Sequence, residues 1–131
     1  MKIEIKDLQK KDKHLEYLLS ILPDKIKDYL CTYLKNNPIL RIDEIRLHSY
    51  SYMCIISSFS NIKTDLYITE GDIADTVFSL CSGSVYTHFD TIKEGYISVG
   101  YGIRAGICGK ASLQNGLITG ISDFSSVNIR M

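Results

Sequence analysis

The spacing of apolar residues switches from helical to alternating at Pro38, and that switch restricts the fold to a combination of helices and sheet. Before it, Leu15, Leu18, Leu19 and Leu22 recur at helical intervals, and Ile26, Leu30, Tyr33 and Leu34 form a second stripe. Pro23 lies between them and suits the first turn of the second helix, where its missing N–H costs little. Asn36, Asn37 and Pro38 end that helix. The pair reads as a short helical hairpin, preceded by a polar stretch over residues 1–14 that is a frayed start or a first helical turn. After Pro38 the period becomes two. Ile45, Leu47 and Ser49 fall on one face, and Glu44, Arg46 and His48 on the other.

The rest of the chain continues the strand pattern with one helical interruption. Ser49 to Ser51 make a turn, Met53 to Phe59 is a β-rich run, Asn61 to Asp65 is a polar connection, and Leu66 to Ile68 is a short strand. Thr69 is placed to cap a helix, with Asp72 in the capping-box position. Ile73, Val77, Leu80 and Cys81 give that helix its buried face, and Gly83 ends it. Ser84 to Lys93 reads as a second, shorter helix with Val85, Phe89 and Ile92 inward and Gly95 as its stop. Tyr96 to Val99, Arg104 to Leu113, Leu117 to Ile121 and Ser125 to Met131 read as strands. Asn115-Gly116 is the strongest hairpin signal, because a type I′ turn needs two positive φ angles. The expected fold is α+β: an N-terminal helix pair and a mainly antiparallel sheet with two mid-chain helices packed on it. A length of 131 residues fits one domain spanning the whole chain.

Charge excludes some functions. Fifteen bases balance fifteen acids, so bulk charge gives no reason to expect a polyanion binder. The balance is uneven in sequence: residues 48–94 carry two bases and six acids, and residues 95–131 carry three bases and one acid. A final stretch with so few charges is expected to be largely buried, in this domain's core or against a partner. No apolar run approaches the roughly 18–20 residues that cross a bilayer, and the N-terminus lacks the pattern of a secretory signal. A cytosolic protein is the default. Cys31, Cys54, Cys81 and Cys108 form no CxxC pair and His14, His48 and His88 are scattered, so no metal site is expected and the thiols read as small buried side chains.

The glycine-rich segment 100–110 contains Gly109-Lys110 but fails as a phosphate-binding loop. Arg104 stands where its first glycine belongs, and Ala111 follows the lysine. Gly100, Gly102, Gly106 and Gly109 therefore read as a glycine-rich hairpin in which the backbone bulges or is closely approached. Arg104 is the outstanding charge of this apolar region. Its guanidinium fork suits a carboxylate within the domain or a phosphate at an interface, and Arg130 carries the same ambiguity. Arg46, beside Glu44, reads as an exposed strand residue. Nine tyrosines raise the idea of a stacking platform for single strands, but such a platform needs a basic groove that the charge pattern does not supply. No Gly-x-Ser-x-Gly elbow and no HExxH is present.

Several segments carry a resemblance: Leu18-Leu-Ser-Ile-Leu-Pro23, Asp43-Glu-Ile-Arg-Leu47, Cys81-Ser-Gly-Ser-Val-Tyr-Thr-His88, Lys93-Glu-Gly-Tyr-Ile-Ser-Val99, Ile103-Arg-Ala-Gly-Ile-Cys-Gly109, Asn115-Gly116 and, most distinctive, Ser125-Ser-Val-Asn-Ile-Arg130. In order and spacing they resemble the stage III sporulation protein AA family of endospore-forming bacteria. The family usually has Gly-Gly-His-Arg where this chain has Tyr101-Gly102-Ile103-Arg104, so the arginine and one glycine persist and the histidine does not.

The resemblance implies a protein similar to the ring-forming ATPases of type II and type IV secretion, with an N-terminal domain followed by a P-loop ATPase domain. It implies work at the channel between mother cell and forespore, from the mother-cell cytoplasm or peripheral to the membrane. On this reading the chain corresponds to the N-terminal domain alone. It has no cofactor of its own and is not an enzyme by itself, ATP and Mg belonging to the ATPase domain. The implied partners are that domain, neighbouring subunits and membrane channel proteins, with no nucleic acid. Arg104 and Arg130 are the expected contacts to the ATPase domain or its nucleotide. Two rival readings stand beside it: a single-stranded nucleic-acid-binding module, and a small-ligand sensor.

Overall fold

The computed structural model describes residues 13–58, 60–82 and 88–131. Helices α1 (Lys13–Ile21) and α2 (Asp24–Asn36) come first. Strands β1 (Glu44–His48), β2 (Ser51–Ser57) and β3 (Ser60–Ile68) follow, then helices α3 (Glu70–Leu80) and α4 (Phe89–Ile92). The chain ends in β4 (Tyr96–Gly100), β5 (Ile103–Gln114) and β6 (Leu117–Arg130). The six strands form one sheet in the order β3-β2-β1-β6-β5-β4, and every pairing is antiparallel. The fold is α+β, as the apolar periods predict.

The helices cover one face of the sheet. Leu18 and Leu19 of α1, Ile26, Leu30 and Leu34 of α2, and Ile73 and Val77 of α3 are buried with Ile45, Leu47, Met53, Ile55, Val127 and Ile129 in one core. Alternation then sends Arg46, His48, Arg104, Gly106 and Cys108 to the opposite face, which stays open.

Four local expectations need correction. Pro23 stands at the cap position, with φ −56° and ψ 147°, so the helix starts at Asp24. The Pro23 carbonyl accepts the first helical bonds, from Ile26 N–H (3.1 Å) and Lys27 N–H (2.9 Å). Asn61 to Asp65 is not a connection: it belongs to the nine-residue strand β3. Its polar buried position is Thr64, whose hydroxyl donates to the Met53 carbonyl at 2.7 Å. A β-branched residue that can satisfy its hydroxyl inside the sheet hides the strand from a count of apolar residues. Leu117 to Ile121 and Ser125 to Met131 are one strand of 14 residues, β6. Asp123 takes a positive φ of 48° there, beside the register shift at Cys108 and Lys110, so the apparent break is a bulge. Cys108 is exposed rather than buried. The expected stop at Gly83, and Val85 and the Phe89 side chain as inward residues, lie outside what is described.

The expected burial of the charge-poor C-terminal stretch is met only in part. Residues 126–129 are central to the sheet, yet the outer half of the β5–β6 hairpin is exposed. Leu113, Leu117 and Ile118 there are 67%, 71% and 49% accessible.

Two devices fix the helices to the sheet. The Tyr17 ring on α1 lies 4.7 Å from the Tyr101 ring in the β4–β5 turn, and its hydroxyl donates to the Val99 carbonyl at 3.4 Å. At the start of α3 the capping box forms as expected: Asp72 N–H donates to the Thr69 hydroxyl (3.1 Å) and Thr69 N–H to the Asp72 carboxylate (2.9 Å). Lys25 of α2 pairs with the same carboxylate. Burial raises the pKa of Asp72, but the bonds from Lys25 and Thr69 outweigh it, so the carboxyl titrates below its ordinary value. A group shifted down on folding contributes stability above its unfolded pKa and loses it as pH falls through the folded pKa. Asp72→Asn is therefore expected to cost about 1–2 kcal/mol at neutral pH. Urea titrations at neutral and strongly acid pH check it: the cost of the substitution shrinks on acidification.

Candidate functional site

The open sheet face concentrates charge at one place. In register, Arg104 of β5 faces Arg130 of β6, and Arg130 faces Glu44 of β1. The next row on the same face is Gly106, Asn128 and Arg46. The sequence thus sets Arg46 and Arg130 beside one carboxylate, with Arg104 on the far side of Arg130, because residues two apart on a strand share a face and antiparallel register brings distant strands level.

Glu44 organises this cluster. It is 7% exposed, an unusual burial for a carboxylate on an open face. Its Oε2 accepts Arg46 Nη2 at 3.1 Å and Arg46 Nε at 3.2 Å, and its Oε1 lies 3.6 Å from Arg130 Nη2. The Arg130 side chain remains 76% exposed. Arg104 has no carboxylate partner among the described residues. Its guanidinium lies over the Tyr96 ring, 4.4 Å from the centroid, a cation–π contact that holds the charge without neutralising it. Like charges directly opposite on a sheet are destabilising, so Arg104 beside Arg130 is an arrangement that packing alone does not favour.

Between these groups is a shallow cleft of about 200 Å³ lined by Glu44, Arg104, Gly106, Asn128 and Arg130. Gly106 keeps it open: a Cβ there would meet nothing within 4 Å, so a side chain would occupy the cleft. The Oδ1 of Asn128 is buried with no hydrogen-bond partner. The chemistry on offer is binding. Guanidinium forks stay charged at all relevant pH and suit a carboxylate or a phosphoryl group.

The structure brings the two expected arginines together and separates the four expected glycines. Only Gly106 lines the cleft. Gly100 (φ 126°) ends β4 and Gly102 (φ 77°) lies in the β4–β5 turn. Gly109 sits at the β5 bulge, against β6. Arg46 is more than an exposed strand residue, since it carries the Glu44 pairing. Glu44, Asn128 and Tyr96 were not legible as site residues. Glu44 and Arg46 at i and i+2 on one strand face were the available signal. Among the described residues the tyrosines form no single platform: Tyr17, Tyr29 and Tyr33 pack against the core, and Tyr52 and Tyr67 contact each other edge-on at 5.4 Å. Among the described residues no group of three or more His, Cys, Asp or Glu side chains is placed to hold a metal ion, and no helix is long and apolar enough to cross a membrane.

The chain is 26% identical over 114 residues to stage III sporulation protein AA of Bacillus subtilis (strain 168), an alignment covering 87% of this chain and 37% of that protein. The chain therefore spans less than two fifths of its relative's length. Among solved structures it is similar to the X-ray structure of the Legionella pneumophila ATPase DotB, with a TM-score of 0.43 and 14% identity, over 79% of this chain and 29% of that one. Residues 10–131 match the family described as sporulation stage III, protein AA. With nearly its whole length matched, this chain belongs to the stage III sporulation protein AA family.

Proposed function

We propose that the chain is the interaction and regulatory domain of a hexameric secretion-type ATPase that energises the channel between mother cell and forespore during endospore formation. The observation that supports this most is the pair Arg104 and Arg130, side by side on an uncovered sheet face, with Glu44 paired to Arg130 and Arg46 but not to Arg104. Such a face is built to receive an anionic surface or phosphoryl group from outside the domain. The ATPase domain that follows in the full-length protein, or the nucleotide bound to it, supplies that group, and ATP and Mg are held there rather than in this chain. Neighbouring subunits and membrane channel proteins are the further partners, and the mother-cell cytoplasm, at the membrane, is the place of action.

The test compares two proteins. This chain alone is expected to release no phosphate from ATP, and the full-length protein is expected to hydrolyse it and to assemble into rings. Steady hydrolysis by the isolated chain, or none by an assembled full-length protein, overturns the reading.

A further inference from the structure

We propose that the outer half of the β5–β6 hairpin is a pairing surface for a second copy of this chain, joined strand edge to strand edge. β4 pairs with β5 only as far as Gly106, and β1 pairs with β6 only from Ser126 onward. Beyond those points β5 and β6 pair with each other, through Lys110–Ser122 to Gln114–Leu117. The hairpin therefore leaves the sheet as a two-stranded arm. Two strands alone are marginally stable in water, and their outer N–H and C=O groups form a template for a further strand.

The other strand edges of the molecule are managed. On β3, outermost at one side, Lys25 Nζ donates to the Tyr67 carbonyl at 3.0 Å, and the Tyr29 hydroxyl accepts Asp65 N–H at 3.4 Å. On β4, outermost at the other, the Tyr17 hydroxyl takes up the Val99 carbonyl. On the arm, the Thr119 hydroxyl donates to the Ser112 carbonyl and the Ser125 hydroxyl to the Cys108 carbonyl, so these bonds run from one arm strand to the other. Composition departs in the same direction. Residues 111–122 contain no Asp, Glu, Lys, Arg, His or Pro, the residues by which proteins blunt an exposed edge. Leu113, Leu117 and Ile118 are exposed at its tip.

These features select the occupant. The uncharged stretch 111–122 meets no repulsion from its own image, and an antiparallel pair across a twofold axis needs one surface only. A partner recruited by charge finds only Lys110 and Asp123, at the base of the arm, and nothing along residues 111–122. A lipid interior is disfavoured, because open backbone edges go unsatisfied there.

Sedimentation equilibrium of this chain between about 1 and 100 µM tests the proposal. The expected mass rises from the 14.8 kDa monomer toward twice that value. Leu117→Lys and, separately, Ile118→Lys place a charge on the arm and are expected to hold the mass at the monomer with an unchanged thermal midpoint, since both side chains are exposed. Slowed amide exchange over residues 111–122 at high concentration is expected in the unsubstituted chain and absent in the variants. A monomer across the whole range overturns the proposal, and so does a dimer that survives both substitutions. Flotation of the monomer with phosphatidylcholine–phosphatidylglycerol vesicles, lost in Leu117→Lys, would replace it with a membrane-binding arm.

Discussion

On the proposed function, replacing Arg104 by alanine in the full-length protein is expected to lower ATP turnover by roughly 1,000-fold, the scale of an arginine that stabilises phosphoryl charge in trans. The geometry makes Arg104 the leading guanidinium. Among the described residues it has no carboxylate to leave, and it rests over the Tyr96 ring while its side chain stays exposed. Arg130 must loosen its 3.6 Å contact with Glu44 before it reaches a second anion, so Arg130→Ala is expected to lose less. Arg104→Lys keeps the charge but not the planar fork, and recovers little. Single-turnover hydrolysis measured beside nucleotide affinity separates a contact in the transition state from one in binding. Unchanged turnover in Arg104→Ala removes this residue from the proposed site.

The largest structural effect is expected from Gly109→Ala, about 3 kcal/mol of lost stability. A Cβ at this position would lie 2.6 Å from the Ser122 carbonyl oxygen, 2.8 Å from Ile121 Cγ2 and 3.1 Å from Phe124 Cα. Two of these three atoms are backbone, so no rotamer change relieves the contact, and the strands must part at the bulge. Gly106→Ala is the matched control, because a Cβ there meets nothing within 4 Å. Its stability is expected to stay within about 0.5 kcal/mol of the unsubstituted chain. Denaturant midpoints of the two variants decide the matter: equal losses would mean that close approach at Gly109 is not what requires glycine.

Both predictions show what the sequence could and could not carry. Helices α1 to α3 were legible because Leu15, Leu18, Leu19, Ile26, Leu30 and Ile73 keep helical spacing, and Thr69 with Asp72 announces the start of α3. Strand β1 was legible from Ile45 and Leu47. Strand β3 was not, because Thr64 buries a hydroxyl that only the Met53 carbonyl across the sheet can satisfy. The continuity of β6 was hidden by Gly120 and Asp123, since a bulge and a loop use the same residues. The site divides in the same way. Arg104 stood out as a lone charge among glycines. Its neighbours Glu44 and Tyr96 come from other strands, and strand order is a property of pairing between segments far apart in sequence. The glycines looked like one motif but act at three places, because adjacency along a hairpin does not make adjacency in space.

The last strand of the chain lies in the middle of the sheet, between β1 and β5. Met131 N–H donates to the Asp43 carbonyl, so the final residue closes against the first strand. During synthesis, β1 to β3 and the first helices leave the ribosome with the inner edge of β1 unpaired and Ile45 and Leu47 lacking Val127 and Ile129 beside them. Contacts of such long sequence separation form slowly, and folding during synthesis proceeds from the N-terminus. The sheet is therefore not closed in stages: β1 waits with an open edge until β6 has emerged.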